Sequence, residues 1–525
     1  MPNPGFAVLI DWAKNGSYTD PGDDVTGLVL REQSAVTAEY GRDQVTALAP
    51  SVTGRGGLVL NNQDRRFSPR ATTLRNGQPN PLAGKVKPAR PVKITRTVQT
   101  PGVSGTLTTY TLFVGHTDDQ PVNPDLDAKT ASLSLVDSLA DFREQQISTG
   151  LHRGIRTGQA IGLILDACGW PPNLRDLDVG ATIISWWWED GTDAFAALEK
   201  VVRSEGPPAL LTVGSDGEII FRDRHHRLTR SESSTAQQTW RAAGGGLVMG
   251  KPFTYSESWG NLINTGTVEV EVRTPQERQT VWTSEAAISL EDGEQRLVTM
   301  SASDPFYDAV TPVAGADWTE VSGTVTARLL RKSGASVTVV LTGETPAVIT
   351  GLRLRARPVT VSHTVRVSAR DGASIGNYGP RSFPNDLPWC GPGDAEAVLQ
   401  IAVGLRMDPL PIVTTRFLVG VDAAKVPLLG LDIGARVRVV EPETATDRDF
   451  YVESIAHEMT GPRDHAVTFG LEAASAQPGN VFRLDTAGAG ADRGYVGNLF
   501  VDTANLMMLD SNVAGHRLDS SVAAA

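Results

Sequence analysis

Hydrophobic and polar positions alternate with a period of two along most of this chain, which predicts strands. In residues 1–136 the stretches "FAVLIDW", "VTGLVLRE", "GGLVLNN", "RPVKITRTV", "LTTYTLFVGH" and "TASLSLVD" are rich in β-branched and aromatic residues. Turn formers such as "DPGDD" and "RNGQPNPLAG" separate several of them. No helical period stands out, so this segment reads as a small antiparallel barrel or sandwich.

A helical period begins after residue 137. "SLADFREQQ" is followed by "RTGQAIGLILDACGW", in which Ile161, Ile164, Leu165 and Cys168 form one stripe. In "DGTDAFAALEKVVRSEG", Thr192 or Asp193 is placed to cap a helix whose apolar face is Phe195, Leu198, Val201 and Val202; Gly206 stops it. "PALLTVGSDGEIIFRDR" predicts a hairpin with "SDG" at its tip. Residues 137–249 therefore predict an α+β unit. Residues 250–390 return to strands, with alternation strongest at 267–272 and again at 324–330, where Val325, Ala327 and Leu329 share a face. "DAEAVLQIAVGLRM" predicts a helix with Asp394 at or near its N-cap, and opens a segment, 391–475, that otherwise reads as β. Residues 476–525 are rich in Gly, Ala and Asp and predict a tail with no core of its own. The fold class expected is mainly β, multidomain, with an α+β insertion.

The two ends share an order. "GKVKPARPVKI" precedes "TLFVGH" and then "ASLSLVD"; "LDIGARVRVV" precedes "DFYVES" and then "AVTFGLE". That order agrees with two copies of one small β-fold at about 84–135 and 431–472.

Composition narrows the function classes. With 40% hydrophobic and 21% charged residues, the 525-residue chain has the balance of a soluble multidomain protein. It has no apolar run of membrane-spanning length and no signal peptide pattern at its start. Two cysteines, Cys168 and Cys390, exclude a disulfide framework. A net charge of −12 argues against a surface that grips nucleic acid, and suits one that nucleic acid passes without sticking.

Candidate chemistry is thin. "AHEMTGPRDH" begins like a zinc-protease motif, but the second histidine position holds Gly461, followed by Pro462, which turns a chain instead of continuing a helix. The flanking alternation predicts a hairpin turning near 460–463, with His457 and His465 as cross-strand neighbours and no third ligand. In "IISWWWEDG", Glu189 and Asp190 are adjacent, so on a strand they face opposite ways and make a poor glycosidase pair. Trp186 and Trp188 are expected on one side and Trp187 on the other, in the core or at an interface with a neighbouring subunit. His225 and His226 read as solvated loop residues, Cys168 as a buried thiol, and "DRRFSPR" as a source of salt bridges to acidic partners. No catalytic residue, cofactor site or metal site is expected.

The stretches "VLIDWAKNGSYTD", "DDVTGLVLREQS", "YGRDQ", "GGLVLNNQDRRFSPR", "GQAIGLILDACGWP", "SEGPPALLTVGSDGEIIFRDR", "ISLEDGEQ", "GLRLRARPV", "DGASIGNYGPR", "LPWCGPGDAEAVLQ" and "LDIGARVRVVE…DRDFYVESIAHEM" together carry a resemblance over residues 6–475. The sequence resembles the minor tail proteins of long-tailed phages of actinobacteria, of the tail-hub or baseplate-hub type. The resemblance implies two tube-like β-barrel domains per chain, at 1–136 and within 391–475, and a homotrimer whose six barrels match a six-fold tail tube. It implies distal tail and tail tube proteins above, a tip or central fibre protein below, and DNA passing the lumen without specific binding. It implies no enzyme, and a protein made in the host cytoplasm and carried in the tail tip of the virion. The other readings are a glycan-binding or peptidoglycan-hydrolysing tail protein and a hexameric distal-tail ring protein. The resemblance stops before the tail, where Leu506, Met507, Met508 and Leu509 form an apolar run expected to dock on a neighbour.

Overall fold

The computed structural model describes residues 5–42, 52–100, 106–118, 122–125, 127–244, 247–420, 423–461 and 464–474, and two short strands, Tyr495–Val496 and Met507–Met508. Those two strands pair with each other; Leu506, Leu509 and the rest of the expected docking tail lie outside the described residues. No described helix is long and apolar enough to cross a membrane.

The chain opens with β1 (Gly5–Ile10), β2 (Val36–Gly41), β3 (Val52–Asn61), β4 (Pro91–Gln99), β5 (Leu107–Thr117) and β6 (Thr130–Val136). Alternation sets their faces: Ala131, Leu133 and Leu135 of β6 are buried while Ser132 and Ser134 are exposed, and Val36 and Ala38 of β2 are buried while Thr37 and Glu39 are exposed. The α+β unit contributes α1 (Thr157–Ala167), β7 (Ile183–Trp187) and α2 (Ala194–Glu205) around a core of Phe142, Ile161, Ile164, Leu165, Trp187, Phe195, Leu198 and Val201. Asp193 caps α2 by accepting from the Ala196 amide at 2.8 Å, and Gly206, at φ 78°, ends it, as the sequence predicts.

The main sheet then resumes with β8 (Gln238–Arg241) and β9 (Gly250–Glu257). Residues 258–410 leave it. They form a ribbon of β10 (Thr265–Pro275) on β11 (Arg353–Arg370), a small core around Met300, Val339, Leu341 and Leu354, and the helix α3 (Pro392–Arg406), which packs Val398 and Leu399 with Val268 and Val270 of the ribbon. α3 begins earlier than Asp394 predicts: Gly391 is the N-cap and Pro392 takes the first turn, where its missing N–H costs nothing. The chain returns to the sheet with β12 (Pro411–Leu418), β13 (Arg436–Glu441), β14 (Thr446–Met459) and β15 (His465–Ala473).

The duplication is larger than the sequence order suggests. The first six strands pair in the order β2-β3-β6-β5-β4-β1, and β8, β9 and β12–β15 pair in the order β9-β12-β15-β14-β13-β8. Strands in equivalent places also come in the same chain order, so the insertion at 258–410 falls between the second and third strands of the second unit. One pairing differs: β1 is antiparallel to β4, whereas β8 is parallel to β13.

The expected pair of closed barrels is corrected here. Both units belong to one 14-stranded sheet, and no sheet among the described residues closes. The cause is an edge: β2 gives its second edge to β14 of the other unit, Val36 opposite Met459 through Gly41 opposite Ser454. At the end of that pairing Gly41 has φ 111°, and a Cβ there would lie 2.3 Å from the Glu453 carbonyl, so only glycine fits. The apolar sides of both units merge into one core that includes Val8, Ile10, Trp12, Leu60, Ile94, Phe417, Phe450 and Phe469.

Candidate assembly surfaces

The junction of the two units is charged as well as paired. Arg42, just past β2, donates from Nε to Glu453 Oε2 on β14 at 2.5 Å. Arg227, from the α+β unit, donates to the other oxygen of Glu453 and lies 3.8 Å from Glu472 on β15. Arg406 at the end of α3 reaches Glu472 at 2.6 Å. Burial opposes the ionisation of Glu453, but the guanidiniums of Arg227 and Arg42 outweigh it and hold its carboxyl down at about 2. Three arginines from three parts of the chain thus meet two carboxylates of the second unit. Sequence reasoning missed all five, because a single arginine or glutamate gives no sign in sequence of a buried partner far along the chain.

A second buried cluster joins the α+β unit to α3. Glu205 accepts from Thr157 Oγ1 at 2.6 Å and from the Thr182 and Arg224 amides at 3.0 and 3.2 Å. The Arg224 guanidinium lies 3.8 Å from Glu205 and 3.4 Å from Asp394 in the first turn of α3.

His457 and His465 are neighbours, as the hairpin predicts. Nδ1 of His457 lies 3.1 Å from Nε2 of His465, with both rings buried. Burial pushes His457 down to about 4; burial and then the neighbouring charges of His457 and Arg96 push His465 well below the ordinary histidine value. No cluster of three metal-ligating side chains occurs among the described residues.

The tryptophan run takes the predicted sides. Trp187 points inward with no exposed surface. Trp186 stacks on Tyr307 at 5.8 Å, and Trp188 meets Trp389 edge-on at 5.2 Å with the Arg273 guanidinium at 5.2 Å from its ring. All three partners belong to the inserted segment. Trp188 also lies against Gly334, where a Cβ would sit 2.3 Å from its own. Beside this seam is a cavity of about 90 Å³ lined by Ser185, Trp186, Glu271, Arg273 and Trp389. Glu189 is buried 3.6 Å from Lys200, and exposed Asp190 accepts from Ser333, so the two carboxylates do not converge.

The expectation for the second of the paired histidines needs correction. His226 is not solvated: it is buried, its Nδ1 2.8 Å from Asp178 Oδ2, while His225 is exposed. In "DRRFSPR", Arg66 pairs with its own neighbour Asp64, Arg65 donates to the Thr73 carbonyl, and Phe67 is in the core. Cys168 is half-buried, and burial pushes its thiol up to about 11, as for an inert thiol.

One face of the sheet is left open across both units. It carries Ser132 and Ser134 of β6, Arg55 and Gly57 of β3, Thr37 and Glu39 of β2, Ser454, Ala456 and Glu458 of β14, and Thr468 of β15. Most of these side chains are short. Glu458 is paired at 2.9 Å with Arg416 of β12.

No family model matches the chain, and no curated protein matches it. Among solved structures it is similar to a 43 kDa tail protein of prophage MuSo2 from Shewanella oneidensis, at 14% identity over 89% of this chain and 98% of that one, with a TM-score of 0.44. It is similar to a tail protein from Neisseria meningitidis MC58, at 9% identity over 89% and 96% of the two chains, with a TM-score of 0.46. It is also similar to the prophage tail protein gp18 from Listeria monocytogenes EGD-e, at 6% identity over 90% and 95%, with a TM-score of 0.40. At such identities and TM-scores the likeness is one of overall fold alone.

Proposed function

We propose that this protein is a structural, non-enzymatic hub of a phage tail tip. Three copies form a ring around the DNA channel and join the tail tube to the distal tip or fibre. The observation that carries the reading is the internal duplication. Two six-stranded units of one strand order per chain allow three chains to present six similar units, the number that a six-fold tube above would need.

The open face supports the same reading. A channel wall for DNA must not hold phosphates, and phosphate affinity comes from clustered Lys and Arg. Apart from Arg55, which lies opposite Glu39, the face has mostly short Ser, Thr, Gly and Ala side chains, and Arg416 is tied to Glu458, so phosphates find little to bind. The chain's net charge of −12 acts in the same direction. Met507 and Met508, with Leu506 and Leu509 beside them, are assigned to docking the next tip protein.

The deciding experiment is a symmetry and copy count of the assembled tip by imaging or mass measurement. Three copies per tip support the hub. Six copies move the chain to a distal-tail ring, and a single copy sinks both.

A further inference from the structure

The pairing that joins the two units inside one chain leaves its own equivalents unused at the outer ends. β2 has two partners, β3 on one edge and β14 on the other. Its equivalent in the second unit, β9, pairs with β12 alone among the described strands. The part of β14 that receives β2 is matched in the first unit by the short strand Asn123–Asp125, which pairs with β6 alone among the described strands. Among the described residues, each chain therefore carries one open donor edge and one open acceptor edge of a contact it already makes internally.

The pairings fix a register. Thr37 lies opposite Gly57, and Gly57 opposite Ser134; Thr254 lies opposite Thr414, and Thr414 opposite Gly470. Thr117 and Val452 are equivalent, since their amides donate to the Arg90 and Ala435 carbonyls, each just before β4 or β13; Leu135 and Leu471 pair with them, so the preceding residues Ser134 and Gly470 are equivalent too. Thr254 is thus the counterpart of Thr37, Tyr255 of Ala38 and Ser256 of Glu39. On the acceptor side, Asn123, Pro124 and Asp125 pair with β6 as Ala456, His457 and Glu458 pair with β15. Internally, Thr37 faces Glu458, Ala38 faces His457 and Glu39 faces Ala456.

We propose that β9 of one chain adds as a strand to Asn123–Asp125 of a second copy of this chain, with Thr254 opposite Asp125, Tyr255 opposite Pro124 and Ser256 opposite Asn123. This specifies the chain-to-chain contact of the ring proposed above and rests on that reading. An open strand edge is a template for another strand, and here the occupant is indicated by continuity with the β2–β14 junction. The side chains agree: Phe253 and Tyr255 are only half-buried against the core of their own unit, where the equivalent residues Val36 and Ala38, covered by β14, are fully buried. A head-to-tail contact of this kind closes into a ring when its rotation allows. A ring would then use one strand pairing at every junction, alternately within and between chains.

Residues directly opposite in an antiparallel pair have Cα atoms about 4.5–5.5 Å apart, within disulfide reach. Asn123 and Ser256 are both exposed, and the full-length double variant Asn123→Cys, Ser256→Cys is the test, with Asp125→Cys, Thr254→Cys as a second pair. Under mild oxidation, assembled protein should give chain-to-chain crosslinks and a covalently closed ring on non-reducing gels. Each single variant, and the parent with only Cys168 and Cys390, should give none. Tips that image as three-chain rings but crosslink through neither pair overturn the strand pairing and leave the hub standing. Crosslinked rings of six chains keep the pairing and sink the three-chain hub.

Discussion

Arg42 and Glu453 are separated by 411 positions in the chain, yet Nε of one lies 2.5 Å from Oε2 of the other, fully inside the protein. The contact sits where the last residue of β2 meets β14, so it locks the first unit to the second. Glu453 also takes Arg227, which brings the α+β unit to the same point. A buried carboxylate held by two guanidiniums adds little net stability over an apolar pair, but it is costly to break.

Replacing Glu453 with Gln should therefore destabilise the protein by about 3–5 kcal/mol, since two buried guanidiniums lose their counter-charge. Denaturant unfolding at pH 7 measures this. A loss below about 1 kcal/mol, the scale of an exposed pair, would mean that the network is solvated. The acid dependence has a defined sign. The folded carboxyl stays ionised down to about 2, below its unfolded value of 4.5, so its contribution is complete above pH 4.5 and fades as pH falls towards 2.

The histidine pair acts at higher pH. An unfolded His457 takes up its proton near pH 6.5, whereas the folded one does so only at about 4. Between those values the unfolded chain binds more protons, so stability is complete above pH 6.5 and declines as pH falls to 4. The shift corresponds to about 3 kcal/mol. His465 moves in the same direction. Melting curves from pH 7 to pH 4 should fall less steeply for His457→Asn than for the parent. Parallel curves would refute a buried neutral ring.

The three tryptophans should separate by role. Trp187→Ala empties a fully buried site and should cost about 3–5 kcal/mol in global unfolding. Trp188→Ala removes a seam contact with Trp389 and Arg273 instead. It should change global stability by no more than about 2 kcal/mol while exposing the 258–410 segment to faster limited proteolysis. Equal effects of the two variants in both assays would contradict the assignment of one to a core and the other to a seam.

Much of this was legible in the sequence, and the limit has a physical form. A period of two tells which side chains share a face, so the faces of β2 and β6, the hairpin of His457 and His465, and the sides taken by Trp186, Trp187 and Trp188 follow from it. The period says nothing about which edge of a strand meets which partner. The closed barrels failed for that reason: backbone edges of β2 and β14 look alike in every strand, and their pairing spans most of the chain. Asp394 does lie in the first turn of α3, near the N-cap, but Pro392 sets that turn two residues earlier. His226 misled, and Arg42 went unnoticed, because a polar residue with a buried partner is indistinguishable, in sequence, from a solvated one. Gly41 was the one local hint at the junction, and its meaning depends on the Glu453 carbonyl that it approaches.

The open face offers a direct test of the channel reading. Ser134, Thr37 and Ala456 lie on it without a charge of their own, across both units. Substituting all three with Arg adds three cations per chain where the face now has short side chains. If this face lines the channel, the assembled ring should gain DNA affinity that falls steeply with salt, because each neutralised phosphate adds about −0.9 to the slope of log K against log salt on duplex DNA. DNA release from virions built with the variant should slow, and raised salt should restore it. Fold is not at risk, since each position is at least partly exposed on the open side of a strand and gives up no core packing. Unchanged release, with DNA binding equal to that of the parent ring, would place the open face away from the channel.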